Sequence, residues 1–523
     1  MQRAPHRFVD EFESRLEPLE SEFHRAYWDS QVHASPENER RRADLELELR
    51  GLKGDESLLA AVTEALDEGV HEPVLARQLE VMRLSLTGNQ MTDAQRLELV
   101  RLSSEVESEF NRHRPRVDGE ELDENAISQI LRTSDDVELR RRTYLAAKEI
   151  GPKIGNRVRE LARLRNAAAL KLGFADYFTM SLELQELSEE WLLDLFDELD
   201  AATSATYTAW KDDLDEGLRE RFKTDVLFPW HYSDPFFQHL PSSDVTFDPQ
   251  LKELSAAELA TKTFDRWDID LRPVIERSDL SPRPLKSEEA FCLDVDRSGA
   301  DVRILANVVP GERWIHIMLH ECGHAAYDIS FDRRLPYLLR RPAHIFVTEG
   351  IAILAERRGR DPAWLNQIAG VSEEEITDRA HALKIASARQ SILFARWVMV
   401  VSHFERALYA DPETDLDELW WGLVERFQLI RRPEMDLPDA WASKVHIAVA
   451  PVYYQNYLLG ELVASQLEET LIDRTGSLLN SDAGGVLRRD LFKHGNSWRW
   501  DKLIEEATGH PLTPKYFSDQ VNV

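Results

Sequence analysis

His320-Glu321-Cys322-Gly323-His324 reads HExxH within an apolar helical run. Histidines four residues apart lie on one helix face, so both imidazoles reach a single ion. The glutamate between them then falls beside the remaining coordination position, where a water molecule would sit. Two imidazole ligands with an adjacent carboxylate are the minimum equipment for zinc-assisted hydrolysis. The competing reading, two solvated histidines on a helix surface, is opposed by the flanking residues. Trp314-Ile315-His316-Ile317-Met318-Leu319 precede the motif and Ala325-Ala326-Tyr327 follow it. A helix starting near Glu312, after Pro310-Gly311, is therefore apolar around most of its circumference and should be buried. Two histidines and a glutamate in such a place need partners, because unpaired buried polar groups are costly. A metal ion supplies one.

Two histidines require a third protein ligand, leaving the fourth position for water. Glu349 is the best candidate, 25 residues beyond His324 in Phe346-Val347-Thr348-Glu349-Gly350-Ile351-Ala352-Ile353-Leu354. A carboxylate opening this apolar helix would also suit the helix dipole, which gives a purely structural alternative. Asp328, one turn beyond His324, would crowd the site. A second polar constellation lies further on: Lys444-Val445-His446, then Tyr453-Tyr454-Gln455-Asn456-Tyr457. Tyr454 and Tyr457 share a face at i, i+3. Peptide hydrolysis passes through a tetrahedral oxyanion that needs donors aimed at it, and phenol O–H and imidazole N–H groups are suitable. Core tyrosines beside an exposed lysine are the competing reading.

The elements that must position these residues are mostly helices. Phe8, Phe12, Leu16, Leu19, Phe23, Ala26 and Tyr27 recur at three- and four-residue steps. Further periodic segments cover Asp93–Arg114, Asp136–Ile150, Asn156–Leu172, Ser188–Glu216 and Ala256–Trp267. Pro229, Pro235, Pro241 and Pro249 mark an irregular connection, and Ser281–Leu285 a proline-rich turn. The period then changes. Ala290–Val295 and Asp301–Val309 are β-favouring runs separated by Asp296-Arg297-Ser298-Gly299-Ala300, a hairpin pattern. This small sheet directly precedes the metal helix, where an edge strand could hold an extended peptide by main-chain bonding. Helix resumes over Thr348–Arg358, Glu373–Tyr409, Leu416–Leu429 and Tyr453–Leu471. The fold class is mainly α.

Composition narrows the setting. The chain has 523 residues, 43% of them hydrophobic, with no visible repeat or flexible linker, which favours one large unit. A formal charge of -31 would repel nucleic acid. Ordinary acidic solubility accounts for that charge more simply than adaptation to a salty cytoplasm. The start lacks the apolar core of a signal peptide and no segment approaches a membrane span. Two cysteines, Cys292 and Cys322, exclude a disulfide framework and read as reduced core residues. A cytoplasmic location is the default expectation; oligomeric state is left open.

These residues resemble gluzincin peptidases of the angiotensin-converting-enzyme and thimet oligopeptidase/oligoendopeptidase F families. Ala290-Phe291-Cys292-Leu293 and Asp301-Val302-Arg303-Ile304-Leu305-Ala306-Asn307 are similar to the oligopeptidase strands, as is HECGH followed by Glu349. Trp420-Trp421-Gly422-Leu423 with Phe427-Gln428, Lys444-x-His446 with a following Tyr-x-x-Tyr, and Ala26-Tyr27-Trp28 resemble the converting-enzyme side. The resemblance implies an ellipsoidal, mainly α body with a deep central cleft, a small β-sheet beside the HExxH helix, and one zinc ion per chain. It also implies short or unfolded peptides as substrates. Within 1–523 it assigns 1–115 to a helical lid, 286–360 to the zinc-site core and 440–470 to an oxyanion and substrate-binding segment. His320, His324 and Glu349 would bind zinc and Glu321 would be the general base. His446 and Tyr457 would stabilise the oxyanion, and Lys444 and Tyr454 would hold a substrate's terminal carboxylate. There are departures. The interval from His446 to the tyrosines is one residue longer than in converting enzymes, so that Tyr453 competes with Tyr454. Asn456 replaces a chloride-binding arginine, and no glutamine matching the family's carboxylate-binding one is evident. Release of C-terminal dipeptides is therefore one option beside internal cleavage.

Overall fold

The computed structural model describes residues 5–241 and 246–523. Met1–Ala4, part of the start read above as lacking a leader, lie outside the described residues. The structure is mainly α. Among the described residues, strand is confined to two antiparallel two-stranded sheets: β1 (Arg116–Val117) with β2 (Glu120–Glu121), and β3 (Phe291–Asp294) with β4 (Val302–Leu305). The abundant acidic and hydroxyl side chains start the helices. Ser35, Asp55, Asp123, Asp136 and Ser188 each accept a backbone N–H from the first turn of the helix that follows. Such a cap contributes about 1 kcal/mol. No helix is long and apolar enough to cross a membrane among the described residues.

The chain forms two compact units, each assembled from separated stretches. One contains the N-terminal stretch up to Gln90, Thr246–His381 and Leu459–Phe517; the other contains the stretch from Met91, Ala382–Leu458 and Ser518–Val523. The helical segment 1–115 is thus divided between them after Gln90. HExxH and Glu349 belong to the first unit, and Lys444, His446, Tyr454 and Tyr457 to the second.

In the first unit, the opening helix (Pro5–Val32) buries Val9, Phe12 and Leu16 against Leu49, Leu52, Leu79, Met82 and Leu339. Each such apolar side chain contributes roughly 1.5–3 kcal/mol when fully removed from water. One turn further on, Glu20 is buried and meets Lys53 at 2.7 Å, Arg297 at 2.6 Å and the Tyr337 hydroxyl at 3.0 Å. Burial alone would raise its pKa, but Arg297 and Lys53 override it and hold the carboxyl at about 2. This cluster ties the opening helix to the β3–β4 turn.

That turn is short because Arg297 and Gly299 adopt φ of 54° and 67°, while Ser298 donates its N–H to Asp296 at 3.0 Å. β4 ends at Leu305, not at Val309 as the apolar pattern suggests. Past Leu305 the backbone changes partner: Ala306 N–H bonds Asp279 O at 2.9 Å and Val308 N–H bonds Leu280 O at 2.8 Å. The far edge of β4 is therefore already taken by residues 278–280.

Candidate metal centre

The HExxH helix spans Glu312–Asp328, as the Pro310-Gly311 break and the apolar run indicate. The helix carrying Glu349 spans Ile345–Arg358 and so begins three residues before Thr348, the start expected from sequence. Its N-cap is His344, whose ring accepts the Phe346 N–H at 3.2 Å. Glu349 consequently lies in the second turn, which removes the dipole-only reading. The two helices touch through glycine. A Cβ on Gly323 would fall 2.6 Å from Ala352 Cα, so only hydrogen allows this approach. Gly460, on the helix Gln455–Thr475, approaches Glu349 from another side, with 2.9 Å between a built Cβ and the Glu349 Cβ. Arg357 and Arg358 bond Glu461 and Glu468 on that same helix and lock the packing.

This packing brings His320, His324 and Glu349 together. One ligand atom of each lies within 4.8 Å of the others, and His320 Nε2 is 3.6 Å from Glu349 Oε2. Each imidazole is also held from behind. His320 Nδ1 lies 3.1 Å from Glu356 Oε2, and His324 Nδ1 lies 2.8 Å from Thr348 Oγ1. With Nδ1 protonated and donating, both Nε2 lone pairs remain for an ion. Two imidazoles and one carboxylate at this spacing fit a single zinc ion that keeps a position open. Asp328 is outside the group.

Glu321 is buried, 7% exposed. Burial pushes its carboxyl up to about 7; His320 opposes the shift, while Glu349 and Glu356 add to it. A buried carboxylate next to the two imidazoles suits proton transfer. Both cysteines are unpaired: Cys322 is fully buried, as expected, but Cys292 is half-buried on the strand.

In the second unit, Lys444, His446 and Tyr454 cluster. The Lys444 ammonium lies 5.5 Å from the Tyr454 ring centre and 5.6 Å from that of Trp397, and donates to Gln238 Oε1 at 3.3 Å. The lysine is thus enclosed rather than free at the surface. Burial lowers it to about 8, with Asp234 opposing, so it stays largely charged at neutrality. His446 stacks edge-on to Tyr454 at 5.3 Å. Burial, reinforced by Lys444, lowers its pKa to about 4, leaving a neutral imidazole. Its Nδ1 is buried with no hydrogen-bond partner among the described residues. Tyr457 packs on Tyr454 at 5.5 Å and on Tyr453 at 5.3 Å. Asn456 is fully buried and donates to Gln185 at 2.9 Å.

Three residues of these clusters escape sequence reasoning. Glu356 follows Glu349 by seven residues, a spacing that keeps both on one helix face, and this is its only local signal. Thr348 adjoins the ligand itself. Gln238 lies in the proline-rich connection, within Pro235-Phe236-Phe237-Gln238, where no periodicity marks it.

Residues 2–208, less than half of the chain, match the model of the angiotensin-converting enzyme peptidase family. Over 210 residues, 37% of this chain and 28% of the relative, the sequence is 23% identical to the angiotensin-converting enzyme-like protein Ace3 of Mus musculus. Over 226 residues it is 23% identical to an angiotensin-converting enzyme of Theromyzon tessulatum, covering 40% of this chain and 36% of that one. The matches thus span about a third of the length of these curated relatives. The segment matched by the family model ends before the HExxH helix, so that likeness and the metal-ligand geometry are separate observations.

Proposed function

We propose that this chain is a zinc-dependent peptidase that hydrolyses short or unfolded peptides. One observation carries the reading: His320, His324 and Glu349 converge with both imidazoles oriented by Glu356 and Thr348, and Glu321 stands beside them. A closed structural zinc site would have a fourth protein ligand, and the group contains three. Zinc bound there supplies Lewis acidity toward a carbonyl oxygen and brings the pKa of water toward about 7. Glu321 takes the proton of the attacking water and passes it to the departing amine nitrogen. His446, a neutral imidazole with an unpartnered ring nitrogen, and Tyr457 are groups of the kind that can donate to a developing oxyanion. The β3 strand aligns the peptide through main-chain bonds, beside Glu321. The unpaired cysteines suit a reducing, cytoplasmic setting.

A second reading, release of C-terminal dipeptides, is favoured by the Gln238, Lys444 and Tyr454 cluster. A carboxamide, an ammonium and a phenol together suit a peptide's terminal carboxylate. Metal analysis with mass spectrometry of products from a defined peptide mixture tests both. Zinc-dependent cleavage supports the peptidase. A metal-free protein that binds peptides without cutting them replaces it with a helical scaffold.

A further inference from the structure

Among the described residues β3 pairs with β4 along one edge and leaves the other open, and hydrogen-bond parity shows which is which. Phe291 faces Leu305, Cys292 faces Ile304 and Leu293 faces Arg303. Ile304 spends its N–H on Ser278 Oγ and its C=O on Asp279 N–H, both away from β3. The hydrogen-bonded pairs are therefore Phe291 with Leu305 and Leu293 with Arg303. Cys292 therefore turns its peptide groups to the opposite edge.

Side chains alternate across the same strand. Cys292 faces the HExxH helix. Phe291 faces the opening helix, where its ring lies 5.5 Å from Tyr27 and 6.1 Å from Trp28. Phe23 continues the row, 6.4 Å from Tyr27. Trp28 is buried as the floor, whereas Phe23, Tyr27 and Phe291 are only half-buried. The result is an apolar ledge along one face of the strand, with the HExxH helix on the other.

We propose that Phe23, Tyr27 and Phe291 form a specificity subsite for an aromatic or large aliphatic side chain of the substrate. The proposal rests on the peptidase reading. A peptide extended along the open edge presents every second side chain to the face occupied by the ledge, and its other side chains to the HExxH helix. Selectivity then arises from burying apolar surface against the rings, at one position of the peptide, and not from charge.

The test uses zinc-loaded protein and paired peptides that differ by phenylalanine or glycine at each position flanking the cut. Wild type should prefer phenylalanine at one position by about 10-fold or more in kcat/KM, with the ratio falling toward unity in Tyr27→Ala and Phe23→Ala. Tyr27→Phe should keep the preference, since the ring and not the hydroxyl forms the ledge. If Tyr27→Ala fails to fold, Phe23→Ala and a Tyr27→Leu variant carry the same comparison. Cleavage by wild type with no such preference, or with a preference that these variants leave intact, overturns the subsite alone. Absence of cleavage of every peptide by the zinc-loaded protein overturns the peptidase reading, and the subsite with it.

Discussion

His320 Nδ1 and Glu356 Oε2 lie 3.1 Å apart, and this second carboxylate stands on the same helix as the candidate ligand Glu349. One helix thus carries one candidate ligand and, two turns later, an anchor for another. Removing the anchor frees the His320 ring to rotate and weakens the basicity of Nε2. Glu356→Ala should lower zinc affinity by about 10–100-fold, measured by chelator competition. Unchanged affinity would show that the packing around His320 orients it without the carboxylate.

Glu321→Gln retains the shape of the side chain and removes its ability to take a proton. The variant should bind zinc as wild type does and lose about 100-fold or more in kcat. Near-normal turnover in zinc-loaded Glu321→Gln would transfer the base role to another group.

Gly323 is required by the approach of two backbones. Gly323→Ala places a methyl group 2.6 Å from Ala352 Cα, where no flexible side chain can yield. The cost should be about 1–3 kcal/mol of stability, with weaker zinc binding because the ligand helices separate. Thermal unfolding with and without zinc reads both effects.

The Glu20 cluster sets an acid limit on the first unit. Its carboxyl is held at about 2, below the ordinary 4.5, so its contribution is complete above about pH 4.5 and disappears as pH falls toward 2. The shift corresponds to roughly 3 kcal/mol at neutral pH. Glu20→Gln should lower the unfolding midpoint clearly at pH 7, and the gap from wild type should narrow by pH 3. A gap independent of pH would assign the loss to packing instead of charge.

Lys444 and Gln238 make a separable prediction about substrate ends. If they hold a terminal carboxylate, Lys444→Ala should reduce kcat/KM for free-acid peptides by about 10-fold or more and leave that for C-terminal amides little altered. Equal loss on both peptide forms would favour internal cleavage.

The sequence made the centre of the site legible because HExxH and Glu349 stand in long apolar helical runs. Burial of polar residues in such runs demands a partner, and the coordinates bring the three together. The boundary of the Glu349 helix was less visible, since its cap is the histidine His344. The end of β4 was invisible for a different reason: Asp279 and Leu280 capture the chain beyond Leu305, a pairing that no local pattern encodes. Glu356 resembles a surface glutamate beside Arg357 and Arg358 until the helices pack. Gln238 meets Lys444 across 206 positions of sequence, in a stretch with no regular structure.

Glu349 rests on Gly460, and Arg357 and Arg358 close that contact through Glu461 and Glu468. The two histidines and the glutamate are translated well before this support exists. During synthesis, a nascent chain that has just exposed residue 349 would carry all three candidate ligands and still lack the wall behind one of them. Firm zinc uptake should therefore await the emergence of residues 455–475 from the ribosome.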